Sequence, residues 1–255
     1  MNTNRPLFLI SNDDSYKAPG INLLTEIARS YGDVIVVSPE TPQSGKSSAI
    51  TMEQPLRARL VQEEEGLIVY AVNGTPADCV KLALHDLAPR TPDYVLSGIN
   101  HGYNAGNSVI YSGTMGAVFE GSFAGISSMG FSIGSHEWNL DLSPCLPIVK
   151  KGIELLLEQQ FGKDVCFNIN IPPHQNILGL KPAINALGKW EHEYERRIDP
   201  FGKPYYWTTG SFVPFNPDNE MNDVYLLSQG YATIAPCIAD QTHHASLPQL
   251  QKVIK

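Results

Sequence analysis

Asp13 and Asp14 stand side by side, with Asn12 before them, at the end of a short apolar run. Adjacent carboxylates repel each other and cost stability unless a cation or a set of donors neutralises them. Oxygen ligands of this kind suit Mg²⁺ or Mn²⁺. The plainer alternative is a turn in which Asp14 caps the chain and Asp13 is solvated. A second polar segment, PETPQSGKSSAI at 39–50, carries the hydroxyls of Ser44, Ser47 and Ser48 beside Lys46. It reads either as a phosphate cradle or as an ordinary polar loop, and it lacks the GxxxxGK[ST] spacing of a P-loop. A third, SGINHGYNAGN at 97–107, sets Asn100, Asn104 and Asn107 among Gly98, Gly102 and Gly106. An amide carbonyl is a neutral metal ligand, and glycine lets backbone approach a ligand closely. Ser112-Gly113-Thr114 then leads into a predicted helix, whose free N–H groups and dipole favour an anion. Acidic metal ligands, amides and an anion-binding helix start together suit metal-assisted hydrolysis of a phosphoester.

For these segments to meet, they must leave the same end of one sheet. The first half of the chain alternates strand and helix signals, the pattern of a parallel sheet covered by helices. Strands are predicted at 7–11, 33–37, 67–72, 94–97, 131–133 and 165–170, with helices over 21–31, 75–87, 115–123 and 146–160. Thr75 followed by Pro76 is an N-cap with proline at the first helical position. In an open parallel sheet ligands bind beyond the carboxyl ends of the strands, which is where the three polar segments fall. Beyond Pro172-Pro173 the texture changes to short β-type runs rich in aromatics, such as Tyr205-Tyr206-Trp207 and 212–215, with a last strand at 231–234. The expected organisation is therefore an α/β, Rossmann-like three-layer core over 1–172. Residues 173–255 would add β-hairpin arms and a terminal helix, exchanged between subunits and not an independent domain. An isolated hairpin is barely stable in water, which favours pairing with a second subunit.

Composition removes several classes. The chain has 255 residues, enough for a core without staples, and 18 basic against 26 acidic residues give a net charge of -8. With no basic run, a nucleic-acid polymer is not an expected partner, although a mononucleotide is. Between Tyr94 and His136 the only charged residue is Glu120, and 9 of the 21 glycines fall there. Asparagines, serines and glycines break that span, so it is no membrane segment. The start MNTNRPLFLI has no signal-peptide pattern, and a cytoplasmic location is expected. Cys79, Cys145, Cys166 and Cys237 are far apart, with no CxxC pair, and read as reduced structural thiols. His101 is either a proton donor or a solvent-facing loop histidine. His243-His244 does not read as a metal pair, because adjacent side chains diverge. Tyr103, Tyr111 and Trp207 could stack on a nucleobase or simply pack.

The segments SNDDSYKAPGI, SPETPQSGKSSAIT, NGTPADCVKLAL, VLSGINHGYNAGNSVIYSGTMGAVFEG and NDVYLLSQGYATIAPCIADQT resemble, in order, the sequence blocks of the stationary-phase survival protein (SurE) family. They run from about Leu7 to Thr242. The resemblance implies a metal-dependent phosphatase acting on nucleoside 5′- and 3′-monophosphates, with short polyphosphate as a further substrate, and a dimer or tetramer built through exchanged C-terminal arms. It implies one divalent cation per subunit, Mg²⁺ or Mn²⁺, held by Asp13, Asp14, Ser44 and Asn100. It places phosphate near Asn12, Ser44, Asn104, Ser112, Gly113 and Thr114, with Asp13, Asp14, Asn100 and Ser112 as the catalytic set, and it matches Asp223 to the acidic residue of the C-terminal block. Members usually carry glycine after NDD, where this chain has Ser15; a positive φ there would strain a serine. Attack by water is favoured over an aspartyl-phosphate route, because the DxD spacing of that route is absent. A nucleoside hydrolase and a catalytically silent nucleotide sensor are the competing readings.

Overall fold

The computed structural model describes residues 1, 4–158, 161–162 and 164–254. Its first half follows the alternating pattern: β1 (Leu7–Ser11), α1 (Pro19–Arg29), β2 (Asp33–Pro39), β3 (Ala58–Glu64), β4 (Leu67–Val72), α2 (Pro76–Leu82), β5 (Tyr94–His101), α3 (Gly113–Phe123), β6 (Ser127–Ile133), α4 (Leu146–Leu157) and β7 (Val165–Ile171). The predicted end of the fourth helix, Gln160, lies outside the described residues. The second half adds β8 (Leu180–Pro182), β9 (Gly188–Glu191), β10 (Tyr194–Ile198), β11 (Pro204–Thr208), β12 (Ser211–Pro214), α5 (Asp223–Ser228), β13 (Ala232–Ile238) and α6 (Leu247–Val253).

One nine-stranded sheet carries the architecture, in the order β3-β4-β2-β1-β5-β6-β7-β13-β8. Its centre, from β4 through β7, is parallel, while β3 and β13 join antiparallel. The expectation of an α/β, Rossmann-like sandwich is thus met. Strands buried on both faces need apolar residues at every position, and β1 and β2 are buried throughout. Phe8 and Ile10 of β1 pack with Ile21, Leu24 and Ala28 of α1 and with Ile148, Val149 and Ile153 of α4. Leu7 and Leu9 face the other way, toward Cys79 and Val80 of α2 and Ala117 of α3. These faces set the three layers.

Local signals fix the helix ends. Thr75 and Asp78 form a reciprocal capping box at the start of α2, with Pro76 in the first turn. α1 starts at Pro19, without a side-chain cap.

The strands 232–238 and 180–182 belong to the central sheet, although they follow residue 172. What projects is the segment from β9 to β12, folded as two antiparallel pairs, β10 with β11 and β9 with β12. All residues of β10 and β11 are exposed. Among the described residues, no helix is long and apolar enough to cross a membrane.

Candidate active site

The sheet order turns at β1: chain connections run outward through β2 on one side and through β5 on the other. The crevice at such a switch point lies beyond the carboxyl ends of both strands. Asp13 and Asp14 leave β1 there, and both are buried, 4% and 7% exposed. Each is braced by one neighbour. Thr114 Oγ1 donates to Asp13 Oδ1 at 2.6 Å. The backbone N–H of His101 donates to Asp14 Oδ2 at 2.9 Å, and the His101 ring reaches the same oxygen through Nδ1 at 3.1 Å. Among the described residues, His101 is the only ion-pair partner of either carboxylate. Burial pushes the Asp13 carboxyl up to about 6; the Thr114 hydrogen bond opposes this rise and the neighbouring Asp14 charge adds to it.

β5 runs further than its apolar residues predict. Instead of ending at Ser97 it continues to His101, with a register shift between Ser97 and Asn100 in its pairing with β6. Asn100 and His101 are therefore presented by a strand end, not by a loop. Gly98 has φ +120°, and a side chain there would meet the Phe131 carbonyl oxygen at 2.2 Å. Asn100 is buried and donates from Nδ2 to the Gly102 carbonyl at 2.8 Å, which turns its side-chain oxygen away from that bond. His101 also stacks on Trp138, with centroids 5.4 Å apart.

The second polar segment is tied to the first. The Gln43 N–H donates to the Asp13 carbonyl at 2.7 Å, which brings exposed Ser44 within one residue of the carboxylate pair. Ser47 donates from its N–H to the Tyr111 carbonyl and from Oγ to that of Ile110. Ser112 is the N-cap of α3, its Oγ accepting from the Met115 N–H at 3.0 Å. The Thr114 hydroxyl is thus committed to Asp13, whereas Ser112 Oγ accepts and keeps its own O–H free to donate. What the start of α3 offers an anion is the Ser112 hydroxyl, the Gly113 N–H and the helix dipole, while the Thr114 N–H is turned to the Asp13 carboxylate. Gly113 lies against the carboxylate: a Cβ there would sit 3.1 Å from Asp13 Oδ2.

Asn12 is a brace. Its Nδ2 donates to the Ser15 carbonyl at 3.0 Å, and its Oδ1 accepts from Ser38. Ser15 itself has φ 90°, the strained value that its place after Asp14 implied. Replacement by glycine relieves this and should stabilise the fold by about 1 kcal/mol, a rise of roughly 2–4 °C in Tm by calorimetry. An unchanged or lower Tm would show that Ser15 is not strained.

The remaining candidates separate. Asn104 is buried over β6 and β7. Asp223 lies at the start of α5 and accepts from the N–H groups of Gly106 at 2.7 Å and Ala186 at 3.0 Å. It clamps backbone, and burial raises its pKa. Tyr103 covers Gly134, and burial pushes its hydroxyl up to about 12. Tyr111 and Trp207 are exposed. His244 pairs with Asp240 at 2.6 Å, out in the C-terminal segment. A cavity of about 750 Å³ lies at the opposite, amino-terminal end of the strands, but its arginines, Arg5 and Arg90, are already paired with Asp33 and Asp93.

The donor set fits a hard divalent cation. Two neighbouring carboxylates are buried with no lysine or arginine paired to either among the described residues, and hydroxyl and amide oxygens stand on the adjoining segments. Among the sequence candidates the structure brings together Asn12, Asp13, Asp14, Asn100, Gly113 and Thr114, with Ser44 and Ser112 on the flanking segments and Asn104 over the neighbouring strands. Two braces escaped sequence reasoning: Thr114 on Asp13 and His101 on Asp14.

Comparison with known proteins places the chain among similar ones. A family model described as "Survival protein SurE" matches residues 8–193. A protein of Phocaeicola vulgatus named 5′-nucleotidase SurE is 42% identical over 98% of this chain and 98% of its own length. A protein of the same name from Bacteroides thetaiotaomicron is 40% identical over 98% of this chain and 96% of its own length. The crystal structure of SurE protein from Aquifex aeolicus superposes with a TM-score of 0.84 at 32% identity, covering 98% of this chain and 100% of that one.

Proposed function

This chain belongs to the survival protein SurE family, and on that premise we propose that it is a divalent-metal-dependent phosphomonoesterase, a 5′-nucleotidase that releases phosphate from nucleoside monophosphates. The observation that carries this reading is the buried pair Asp13 and Asp14, without a lysine or arginine partner among the described residues, beside the start of α3. The activity named for its relatives supports the substrate class. Nucleoside 3′-monophosphates and short polyphosphate are further substrates of the same chemistry.

Asp13, Asp14, Ser44 and Asn100 would hold the cation, Mg²⁺ or Mn²⁺, one per subunit. Bound there, it supplies positive charge that polarises the phosphoester and eases deprotonation of an attacking water. The chain's own residues do the rest. Thr114 Oγ1 holds Asp13 Oδ1 and the His101 N–H holds Asp14 Oδ2, which leaves the second oxygen of each carboxylate for the cation. The Ser112 hydroxyl and the Gly113 N–H, with the Asn104 amide, stabilise the charge on the equatorial phosphate oxygens. The absence of any acidic residue between Tyr94 and Glu120 spares the dianion a repulsion.

The arms add self-association. Tyr194, Ile198, Tyr206 and Trp207 are exposed on a hairpin that an isolated subunit leaves uncovered, which supports pairing between copies. The cytoplasm is the location we assign.

A phosphate-release screen of nucleoside monophosphates and polyphosphate tests the function. Release should require added Mn²⁺ or Mg²⁺ and stop with EDTA. Free base in place of phosphate would establish the nucleoside hydrolase reading, and binding without either product the sensor reading.

A further inference from the structure

Asn104 is gripped from three directions by side chains of the strands beneath it. Asn170 Oδ1 accepts from the Asn104 backbone N–H at 2.8 Å. Asn168 Nδ2 donates to the Asn104 carbonyl at 2.7 Å. Ser132 Oγ accepts from Asn104 Nδ2 at 2.8 Å. Asn168 and Asn170 stand two apart on β7, so they share a face of the sheet, the face that carries Cys166 toward Met115 and Val118 of α3. Ser132 pairs in register with Asn170 from β6.

This grip is costly to the fold. Asn168 and Asn170 are 0% and 1% exposed, yet each uses only one of the two polar atoms of its side chain. Asn168 Oδ1 and Asn170 Nδ2 have no partner among the described residues. A buried polar atom without a partner destabilises, and apolar residues would pack a strand interior better. A pair kept in this condition, with both amides aimed at the two backbone groups of one residue, is a device for holding that residue. Residues that break a local rule cluster where function demands it.

We propose that Asn168 and Asn170 are positioning residues that fix Asn104, and through it the amide presented to the phosphate; this rests on the phosphohydrolase reading above. The two amides have opposite duties. The Asn104 N–H needs an acceptor and its carbonyl needs a donor. The same replacement must therefore act differently at two positions only two residues apart. Asn170→Asp keeps an acceptor toward the N–H. Asn168→Asp sets an oxygen against the carbonyl oxygen.

The test is steady-state kinetics on the full chain with a nucleoside monophosphate, alongside the rise in Tm on adding Mn²⁺. Asn168→Ala and Asn170→Ala are expected to lower kcat by about 10–100-fold, as the loss of a residue that orients a site group does, while the Mn²⁺-dependent rise in Tm is kept. Asn170→Asp should recover most of the activity lost in Asn170→Ala, and Asn168→Asp should not recover that lost in Asn168→Ala. In an Asn104→Ala background, adding Asn168→Ala should cost little more. Losses that multiply with that of Asn104→Ala, equal behaviour of the two Asp variants, or loss of the Mn²⁺ response in the Ala variants would overturn the positioning role. A wild-type protein that releases no phosphate with either metal would instead remove the reading on which the proposal rests.

Discussion

Replacing Asp13 with Asn should lower kcat by about a thousandfold or more and, at the same time, raise the Tm of the metal-free protein at neutral pH. The second effect follows from the raised carboxyl. Asp13 titrates near 6 in the fold and at its ordinary value of 3.8 when unfolded. Between those values the folded state binds more protons, so stability falls as pH rises through this window, and the loss is complete above about 6. Converted at 1.36 kcal/mol per unit, the full loss is about 3 kcal/mol. Asn keeps an oxygen to accept the Thr114 hydroxyl and carries no charge. The metal-free variant should thus melt several degrees above metal-free wild type at pH 7.5 and at about the same temperature at pH 4. Saturating Mn²⁺ should raise the Tm of wild type, by the equivalent of about 2.7 kcal/mol at one hundred times Kd, and leave that of the variant unmoved. Unchanged phosphate release from the variant would sink the assignment of the carboxylates.

The second large effect is expected at Gly20, in the first turn of α1. A Cβ there would sit 2.0 Å from the Ile99 carbonyl oxygen, with the Ile99 carbonyl carbon and Cα close behind. All three are backbone atoms of β5, so no side chain can swing aside. Gly20→Ala must push α1 and β5 apart, and overpacking against backbone costs about 3 kcal/mol or more. The Tm should fall by roughly 10 °C. Ile99 precedes Asn100, so the damage reaches the site: below the new Tm, kcat should still be depressed. A variant with wild-type kcat and Tm would mean that the helix and the strand end are not locked together.

Much of this was legible in the residues. The apolar runs of β1 and β2, the Thr75 cap and the helix start at Ser112 follow from local patterns, and the Asp13-Asp14 pair stands out because adjacent carboxylates are costly. Three features were not legible, each for a physical reason. β3, ARLVQEE, is an edge strand exposed along its whole length, so it shows no alternation of apolar and polar positions. The last residues of β5 look like loop because Gly98 and Asn100 interrupt the apolar run, while the pairing with β6 that holds them is invisible locally. The braces are partners distant in sequence: Thr114 lies 101 positions from Asp13, and Asn168 lies 64 from Asn104. NIN within a strand reads as a weak strand signal, and only the fold shows what those amides hold.

The clamp formed by Asp223 carries a consequence for how the protein comes into being. Its carboxylate holds the Gly106 N–H across 117 positions of chain. On a ribosome the carboxylate pair, the strand ends and the start of α3 therefore emerge well before the residue that fastens the loop above them. At roughly 5–20 residues per second the gap lasts about 6–23 seconds. Within this interval Asn104 can already be held by Ser132, Asn168 and Asn170, while the Gly106 N–H two residues further on still awaits the Asp223 carboxylate.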